Sequence, residues 1–304
     1  MQWTDRIGRR VKIRDLHILL AVAQSGSMAR AADQLAISQP VVSKTISDLE
    51  YALGVRLLDR TSRGIEPTTY GRAFINCGTA VFDELRRGVQ QIEFLSDPSV
   101  GTVRIGVAGP LSEELIPAVI ARLADRYPRI EFRVTESDTP TLCRLLRERK
   151  LDLVIGRSSP SVFDEELVSD PLFDDPIFVV AGLNSRWSQR RKIALAELLR
   201  ESWIMLDPDN LAWTMMIEGF AAAGVQPPTP QVVSNSMAVR IRLVESGRFL
   251  SILPNSTLHF GRNRLRMKKL PVKLPMKTRP IEVITLKNRT SNPIANLFIS
   301  ELRA

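Results

Sequence analysis

Residues 27–54 read SMARAADQLAISQPVVSKTISDLEYALG, and this stretch decides the fold of the N-terminal part of the chain. Ser27 and Ser38 are residues of the type that caps helix N-termini, and Gly54 is typical of a helix C-terminus. Ala36 and Ile37 would form the turn between the two helices. An apolar helical repeat over residues 13–24 predicts a further helix before these two. Gly26 would end that helix. The stretch therefore predicts two short helices around a tight turn.

The helix after Ser38 is expected to have one apolar and one polar face. At helical spacing the buried stripe comprises Val41, Thr45, Ile46, Leu49 and Leu53. The opposite side carries groups that suit base edges and phosphates, and the predicted DNA contacts on it are Ser38, Gln39, Pro40, Ser43, Lys44 and Ser47. This layout places a helix in the major groove of DNA. A three-helix module that binds another protein is the alternative.

A small wing is expected next. Residues 57–60 and 64–66 would form its two arms, with Arg60 and Arg63 at its tip or base. A guanidinium suits contacts with phosphates or the minor groove, so both arginines are predicted DNA contacts.

These motifs together resemble the LysR-type transcriptional regulators. The matching residues keep the family's offsets: Ser27, Ala31, Ala32, Leu35, Ser38, Gln39, Pro40, Val42, Ser43, Ile46, Leu49, Glu50, Leu53, Gly54, Arg60 and Arg63. Ile18 and Leu58 stand where the family often has Phe, and Pro67-Thr68 replaces a Leu-Thr pair, but these changes keep apolar or turn-compatible residues. The layout of the remainder also fits, so the resemblance covers the whole chain. Among subgroups it is weakly similar to regulators of sugar or aromatic-acid catabolism.

Composition bounds the class of protein. A chain of 304 residues can form two or three domains with real cores. No apolar run approaches the ~20 residues needed to span a bilayer, and the N-terminus has no apolar core typical of a secretory signal. Cys77 and Cys143 argue against a disulfide framework, and both are expected to be buried. We therefore expect a cytoplasmic protein with no membrane partner.

The net charge of +9 is unevenly distributed. Residues 1–66 have a net charge of +3, residues 67–100 of −1, and residues 101–304 of +7. The N-terminal cations are either a solvated arm or a phosphate-contacting one; they are Arg6, Arg9, Arg10, Lys12 and Arg14. A second basic run, Arg262–Arg279, contains no acid, and would be a solvated strand edge or a contact with flanking DNA.

Residues 68–97 are predicted to form one long linker helix. Its apolar seam lies near heptad spacing and comprises Phe74, Val81, Leu85, Val89, Ile92 and Leu95. An exposed helix with one apolar seam needs a partner, and the resemblance implies a homodimer. Alternatively, the seam packs on its own chain.

From Gly101 onward, strands alternate with helices, which predicts a parallel, doubly wound sheet. The resemblance implies an α/β effector domain of the type 2 periplasmic-binding-protein kind, with two lobes and two crossovers. The expected domains are the winged helix-turn-helix (1–67), the linker (68–97) and the effector domain (98–304). Lobe I would span about 101–163 and 267–304, with segment 264–270 returning to it, and lobe II about 164–266.

Ligands of such sheets bind beyond the carboxyl ends of the strands and at helix N-termini. The candidate effector contacts there are Ser112, Glu136, Ser137, Arg157, Trp213, Asn235 and Ser236. Ser112 and Ser236 could instead be simple helix caps, and Trp213 could belong to the core. Arg157 would bind an effector carboxylate or, as we favour, pair with Glu136. An acid at this position favours hydroxyl-rich effectors.

The sequence thus predicts a DNA-binding transcriptional regulator whose effector changes the geometry of an oligomer. We expect this oligomer to be a homotetramer built from two dimers on double-stranded DNA. An enzyme is not expected. His17 and His259 are the only histidines, and the chain has no metal-ligand cluster, phosphate-binding glycine loop or nucleophile elbow. No cofactor or metal is therefore expected. An architectural DNA-binding protein, or an enzyme with an appended DNA-binding domain, is the alternative.

Overall fold

The computed structural model describes residues 10–62, 64–113, 115–157, 165–260, 265–277 and 279–303. The chain divides into two compact units, Met1–Val89 and Gln90–Ala304. In the described residues no helix is long and apolar enough to cross a membrane.

The first unit consists of helices, a two-stranded wing and most of a long helix. Its elements are α1 (Ile13–Ser25), α2 (Met28–Leu35), α3 (Gln39–Leu53), β1 (Leu58–Thr61), β2 (Gly64–Pro67) and α4 (Thr69–Ser96). Most of the predicted caps are confirmed. Gly26 and Gly54 end α1 and α3 at φ of 64° and 72°, and the Ser27 hydroxyl accepts the N–H of Arg30. Ser38 occupies the cap position of α3, but its side chain makes no capping bond.

The buried stripe of α3 differs from the prediction at its start and at its end, where Ala52 is buried and the predicted Leu53 is only half-buried. Val42 is fully buried, whereas Val41 is 40% exposed. The stripe continues through Ile46, Leu49 and Ala52, at intervals of four and three residues. Because one residue turns a helix by about 100°, Val41 faces away from the core that α1 and α2 form.

Helix α4 packs closely on its own unit over its first half. A Cβ on Gly71 would lie 1.9 Å from the carbonyl oxygen of Leu57, and Gly78 lies against Leu16 and Leu20. Phe74 packs on the same core. Two glycines that lower helix propensity therefore permit this contact, and the first part of the predicted seam packs on its own chain.

The second unit contains two five-stranded sheets. The first has the strand order β4-β3-β5-β12-β6. Its elements are β3 (Val100–Val107), α5 (Gly109–Ser112), α6 (Leu115–Arg126), β4 (Arg129–Glu136), α7 (Thr139–Arg147), β5 (Leu153–Gly156), β6 (Leu167–Asp174), β12 (Pro280–Leu286) and α12 (Pro293–Arg303). Strands β3, β4 and β5 are parallel, as predicted, but β12 runs antiparallel to both β5 and β6.

The second sheet has the order β11-β7-β10-β8-β9. Its elements are β7 (Ile177–Gly182), α8 (Leu195–Leu198), β8 (Ser202–Met205), α9 (Leu211–Ala222), β9 (Val232–Val233), α10 (Met237–Glu245), β10 (Phe249–Pro254), α11 (Asn255–Phe260) and β11 (Met267–Lys269). Strands β8, β9 and β10 are parallel, and β7 lies antiparallel between β10 and β11. The fold is thus a two-lobed α/β domain with mixed sheets.

The crossovers between the lobes lie later than expected. Strand β6 pairs with β12, so the first sheet continues to Asp174 rather than ending near 163. Strand β11 pairs with β7, so segment 264–270 does not return to lobe I, and the return follows residue 269. The first error arises because no strand was predicted at residues 167–174. The second arises because the pattern of segment 264–270 does not show which strand it pairs with.

Candidate nucleic-acid interface and effector site

The polar face of α3 is free to meet a ligand. Gln39, Pro40, Lys44 and Ser47 are exposed, and Ser43 is half-buried. Ser38, just before the helix, is also exposed. They lie opposite the buried stripe, because α1 and α2 cover only the other side. Sequence reasoning missed Tyr51, which is 83% exposed and follows Lys44 and Ser47 at helical spacing.

Glu50 holds the wing against α3. Its Oε1 accepts the backbone N–H groups of Leu57, at 2.7 Å, and Leu58, at 3.1 Å. Sequence reasoning placed Glu50 among the residues that match the family pattern but did not foresee this role. The two hydrogen bonds instead make it a positioning residue for β1.

The wing itself is a short antiparallel hairpin. Arg60 pairs with Ile65 across it, and its side chain is exposed. The N–H of Ile65 donates to the carbonyl oxygen of Gly26, which ties β2 to the corner between α1 and α2. Arg63 lies outside the described residues, as do Arg6 and Arg9 of the N-terminal arm.

In lobe I, the carboxyl ends of three parallel strands meet at one edge. The Ser112 hydroxyl lies 2.6 Å from Oε2 of Glu136 and 2.7 Å from the carbonyl oxygen of Gly109, and it can donate to one of them at a time. Ser137 follows Glu136, and its backbone N–H donates to Val107. This edge therefore offers a carboxylate and two hydroxyls.

Asp138 next to this edge caps α7. Its carboxylate accepts the N–H of Thr141 at 2.8 Å. Partial burial acts to raise the pKa of Asp138, but the hydrogen bonds from Thr141 outweigh it and hold the pKa below its ordinary value.

Arg157 does not pair with Glu136, so that prediction is wrong. Its guanidinium lies 2.9 Å from the carboxylate of Asp175, and its Nε donates to the carbonyl oxygen of Arg279. The carboxylate of Asp175 also accepts the N–H and hydroxyl of Ser256, at 2.7 and 2.9 Å. The cluster is buried. Burial lowers the pKa of Arg157, and the charge of Asp175 opposes that shift.

This cluster joins the lobes. Arg157 follows β5, Asp175 lies in the first crossover, Arg279 in the return crossover, and Ser256 begins α11 of lobe II. Helices α5 and α11 lie beside each other, so the carboxyl edges of the two sheets face one another. Arg157 is thus held at the hinge rather than free at an effector. Sequence reasoning missed Asp175 and Ser256, because their partners are distant in the chain.

In lobe II, Asn235 links two loops. Its Oδ1 accepts the N–H of Asp207 at 3.1 Å and the amide of Asn210 at 3.4 Å. Ser236 caps α10 by accepting the N–H of Val239, which fits the simpler of its two predicted roles. Trp213 is partly buried and packs on the lobe II core. In the described residues no hydrogen bond joins these three residues to Ser112 or Glu136.

Arg240 is a buried cation that sequence reasoning missed. It lies one turn after Ser236, is 3% exposed, and donates to Ser251 and to the carbonyl oxygen of Ile252. Burial lowers its pKa to about 10. Its hydrogen bonds fix α10 to strand β10.

Cys77 is exposed, so the prediction that both cysteines are buried is wrong for one of them. Gly71 and Gly78 mark the packed side of α4, and Cys77 lies on another side. Cys143 is buried on α7, as predicted.

Comparison with known proteins identifies the chain. Residues 13–72 match the family model "Bacterial regulatory helix-turn-helix protein, lysR family", and residues 96–304 match "LysR substrate binding domain". This protein belongs to the LysR family. It is a DNA-binding transcriptional regulator with an effector-binding domain, and not an enzyme.

Relatives span almost the full length. The chain is 28% identical to the transcriptional dual regulator GltC of Bacillus subtilis, covering 95% of both chains. It is also 28% identical to the transcriptional dual regulator OxyR of Escherichia coli, covering 95% of this chain and 92% of OxyR. A full-length variant of OxyR from Pseudomonas aeruginosa has the same fold, with a TM-score of 0.67 at 22% identity over 96% and 95% of the two chains. CbnR in complex with its target DNA gives 0.55, at 22% identity over 96% and 99%.

Proposed function

We propose that α3 reads base edges in the major groove. The base contacts would come from Gln39, Ser43, Lys44 and Ser47. The start of the helix would be held at the DNA backbone by Ser38 and Pro40. The phosphates would be bound by Arg60 and Arg63. The observation that carries this proposal is the exposed polar face of α3 opposite a fully packed stripe. The solved complex of CbnR with its target DNA supports it by analogy of fold.

The oligomer is proposed to form through the linker, residues 68–97. Leu85, Val89, Ile92 and Leu95 remain 48, 54, 67 and 83% exposed in the single chain. An exposed apolar row near heptad spacing is typical of a helix that pairs with another helix, and a second copy of α4 would supply one. Two such dimers would form a homotetramer, which acts on DNA in the cytoplasm.

The effector is proposed to bind between the facing edges of the lobes within residues 98–304. Ser112, Glu136 and Ser137 would contact it from lobe I, and Trp213, Asn235 and Ser236 from lobe II. A carboxylate with neighbouring hydroxyls accepts and donates hydrogen bonds, which favours a small hydroxyl-rich ligand over a polyanion. Arg157 would act through the hinge and not through the ligand. Effector binding would change the lobe angle and, through it, the oligomer.

Two experiments on the full chain test these proposals. In mobility-shift titrations on genomic fragments that the wild-type protein retains, Gln39→Ala should lose discrimination between sequences, while Arg60→Ala should weaken all complexes alike. Retained discrimination in Gln39→Ala would contradict the role of α3.

In thermal-shift screening with sugars, sugar acids and aromatic acids, a compound that stabilises the wild-type protein should lose its effect on the variant Glu136→Gln.

A further inference from the structure

Lobe II carries the charge of the whole protein. Residues 177–277 contain 15 basic and 6 acidic residues, a net charge of +9, which equals the net charge of the entire chain. The rest of the chain has as many acidic residues as basic ones. Residues 1–66, which hold the winged helix-turn-helix, contribute only +3. The strongest attraction for a polyanion therefore lies outside the established DNA-binding module.

Half of the lobe II acids are already neutralised. Glu197 pairs with Arg190 and Glu245 with Arg242, each at 3.1 Å, and Glu201 pairs with Arg186. In the described part of the lobe, a set of cationic side chains has no carboxylate within 4.0 Å of the charged nitrogens. We call the members of this set in the loop after β7 and in residues 266–277 the basic edge: Arg191, Lys192, Arg266, Lys268, Lys269, Lys273 and Lys277.

The two segments that carry the basic edge begin next to each other in the fold. Arg266 directly precedes strand β11, which lies at the edge of its sheet. The N–H of Leu183 donates to the carbonyl oxygen of Arg266, and the Ser188 hydroxyl donates back to Leu183, so the loop that leads to Arg191 begins beside β11.

The segment after β11 presents its lysines outward. Leu270, Val272, Leu274 and Met276 turn into the lobe II core, so the residues between them face solvent. Those outward positions are Pro271, Lys273, Pro275 and Lys277. Prolines restrict the backbone around them to extended conformations, which holds the lysine side chains apart in a row. Residues 266–277 can thus extend for about 35 Å, close to one turn of duplex DNA.

Protection of a sheet edge does not account for this pattern. Charges that block edge-to-edge pairing need to lie on the edge strand itself. Lys273 and Lys277 follow the strand, and Arg191 and Lys192 lie in a loop. A protein partner is also disfavoured, because protein interfaces have apolar cores and few lysines.

We propose that the basic edge of lobe II is a second DNA-binding surface, which contacts phosphates of the duplex outside the base pairs read by α3. The inference rests on DNA binding by the winged helix-turn-helix and goes beyond it. Contacts of this kind carry no sequence information but add affinity that falls steeply with salt.

The test uses the full chain and a fluorescein-labelled 60-bp duplex of arbitrary sequence, with anisotropy titrations at several NaCl concentrations. The variant combines Lys192→Gln, Arg266→Gln, Lys273→Gln and Lys277→Gln. Each lost phosphate contact lowers the slope of log K against log [NaCl] by about 0.9, so we expect a fall of about 2 to 4. Binding at 0.1 M NaCl should weaken at least about tenfold.

Two controls make the result specific. Arg133→Gln, Arg144→Gln, Lys150→Gln and Lys287→Gln remove four charges from lobe I and should leave the slope unchanged. In the second control, Lys192, Lys273 and Lys277 are replaced by Arg and Arg266 by Lys. This variant keeps the charges and should keep the wild-type slope, so a changed slope in the glutamine variant would reflect loss of charge and not disturbance of the fold. An unchanged slope in the glutamine variant overturns the proposal and leaves an acidic protein as partner. An equal fall in the lobe I control also overturns it, since net charge alone would then act. Wild-type protein that fails to bind the duplex would instead contradict DNA binding itself.

Discussion

At the scale of single residues, the buried pair of Arg157 and Asp175 determines how the two lobes are joined. One guanidinium reaches an acid of the first crossover and a carbonyl oxygen of the second, while Ser256 completes the acid's partners. A buried charge that loses its partner remains desolvated and unpaired.

We therefore expect Arg157→Met to lower the free energy of unfolding of the effector domain by about 3 to 5 kcal/mol. Urea titrations followed by tryptophan fluorescence would report it, because Trp187, Trp203 and Trp213 all lie in lobe II. Arg133→Met is the matched control. Arg133 pairs with Glu131 at the surface, so its loss should cost less than about 1 kcal/mol. An equal loss of unfolding free energy in the two variants would show that the hinge pair contributes no more than a surface ion pair.

Asp138 and Ser236 cap helices α7 and α10 with different chemistry, which allows a prediction about pH. Removal of either cap with Ala should cost about 1 kcal/mol at pH 7. The pKa of Asp138 is lowered in the folded protein relative to its ordinary 3.8. The stability that the ionised Asp138 cap adds to the folded protein is therefore present above pH 3.8. It is lost as the pH falls through the lower pKa that Asp138 has in the folded state.

Urea titrations between pH 7 and pH 3 would measure both variants. The cost of Asp138→Ala should shrink at the acidic end, whereas the cost of Ser236→Ala should not change, since a hydroxyl does not titrate there. A pH-independent cost for Asp138→Ala would contradict the role of its ionised form.

At the scale of elements, helix α4 contains two glycines in opposite situations. A side chain at Gly71 would collide with the backbone of Leu57, and backbone cannot yield as a flexible side chain can. Around Gly88 no described atom lies within 4 Å of an added Cβ. We expect Gly71→Ala to lower the melting temperature of the first unit strongly. Gly88→Ala should raise stability by about 1 kcal/mol through helix propensity. Calorimetry of the two full-length variants would test this, and destabilisation by both would contradict it.

The same elements show what the sequence could predict. Helix boundaries, caps and the parallel core of three strands follow from local rules, because Gly26, Ser27 and Gly54 act on their immediate neighbours. Strand β6 and the pairing of β11 could not be predicted, since both depend on partners about a hundred residues away. Ser112 and Glu136 were selected from their positions at strand ends, whereas the pairing of Arg157 with Asp175 was not foreseen because it depends on how the first crossover folds back beside the end of β5.

At the scale of the whole molecule, the exposed seam of α4 should set the oligomeric state. Ile92→Asp would place a charge in the proposed dimer interface, so sedimentation velocity at micromolar concentration should show monomers. Val168→Asp is the control, since Val168 is an exposed apolar residue on strand β6, outside residues 68–97. Wild-type assembly in Ile92→Asp would show that copies associate through another surface.

We propose that α3 gives a regulator of this architecture its sequence preference. Selection of bound duplexes from a random-sequence library by the full-length protein, followed by sequencing, tests it most directly. We predict enriched pseudo-palindromes whose half-sites lie about one helical turn or a multiple of it apart, near 10.5 bp or its multiples. The variant Gln39→Ala should lose the preference at particular base pairs of each half-site while the spacing persists. An unenriched library, or an identical motif selected by Gln39→Ala, would contradict the account.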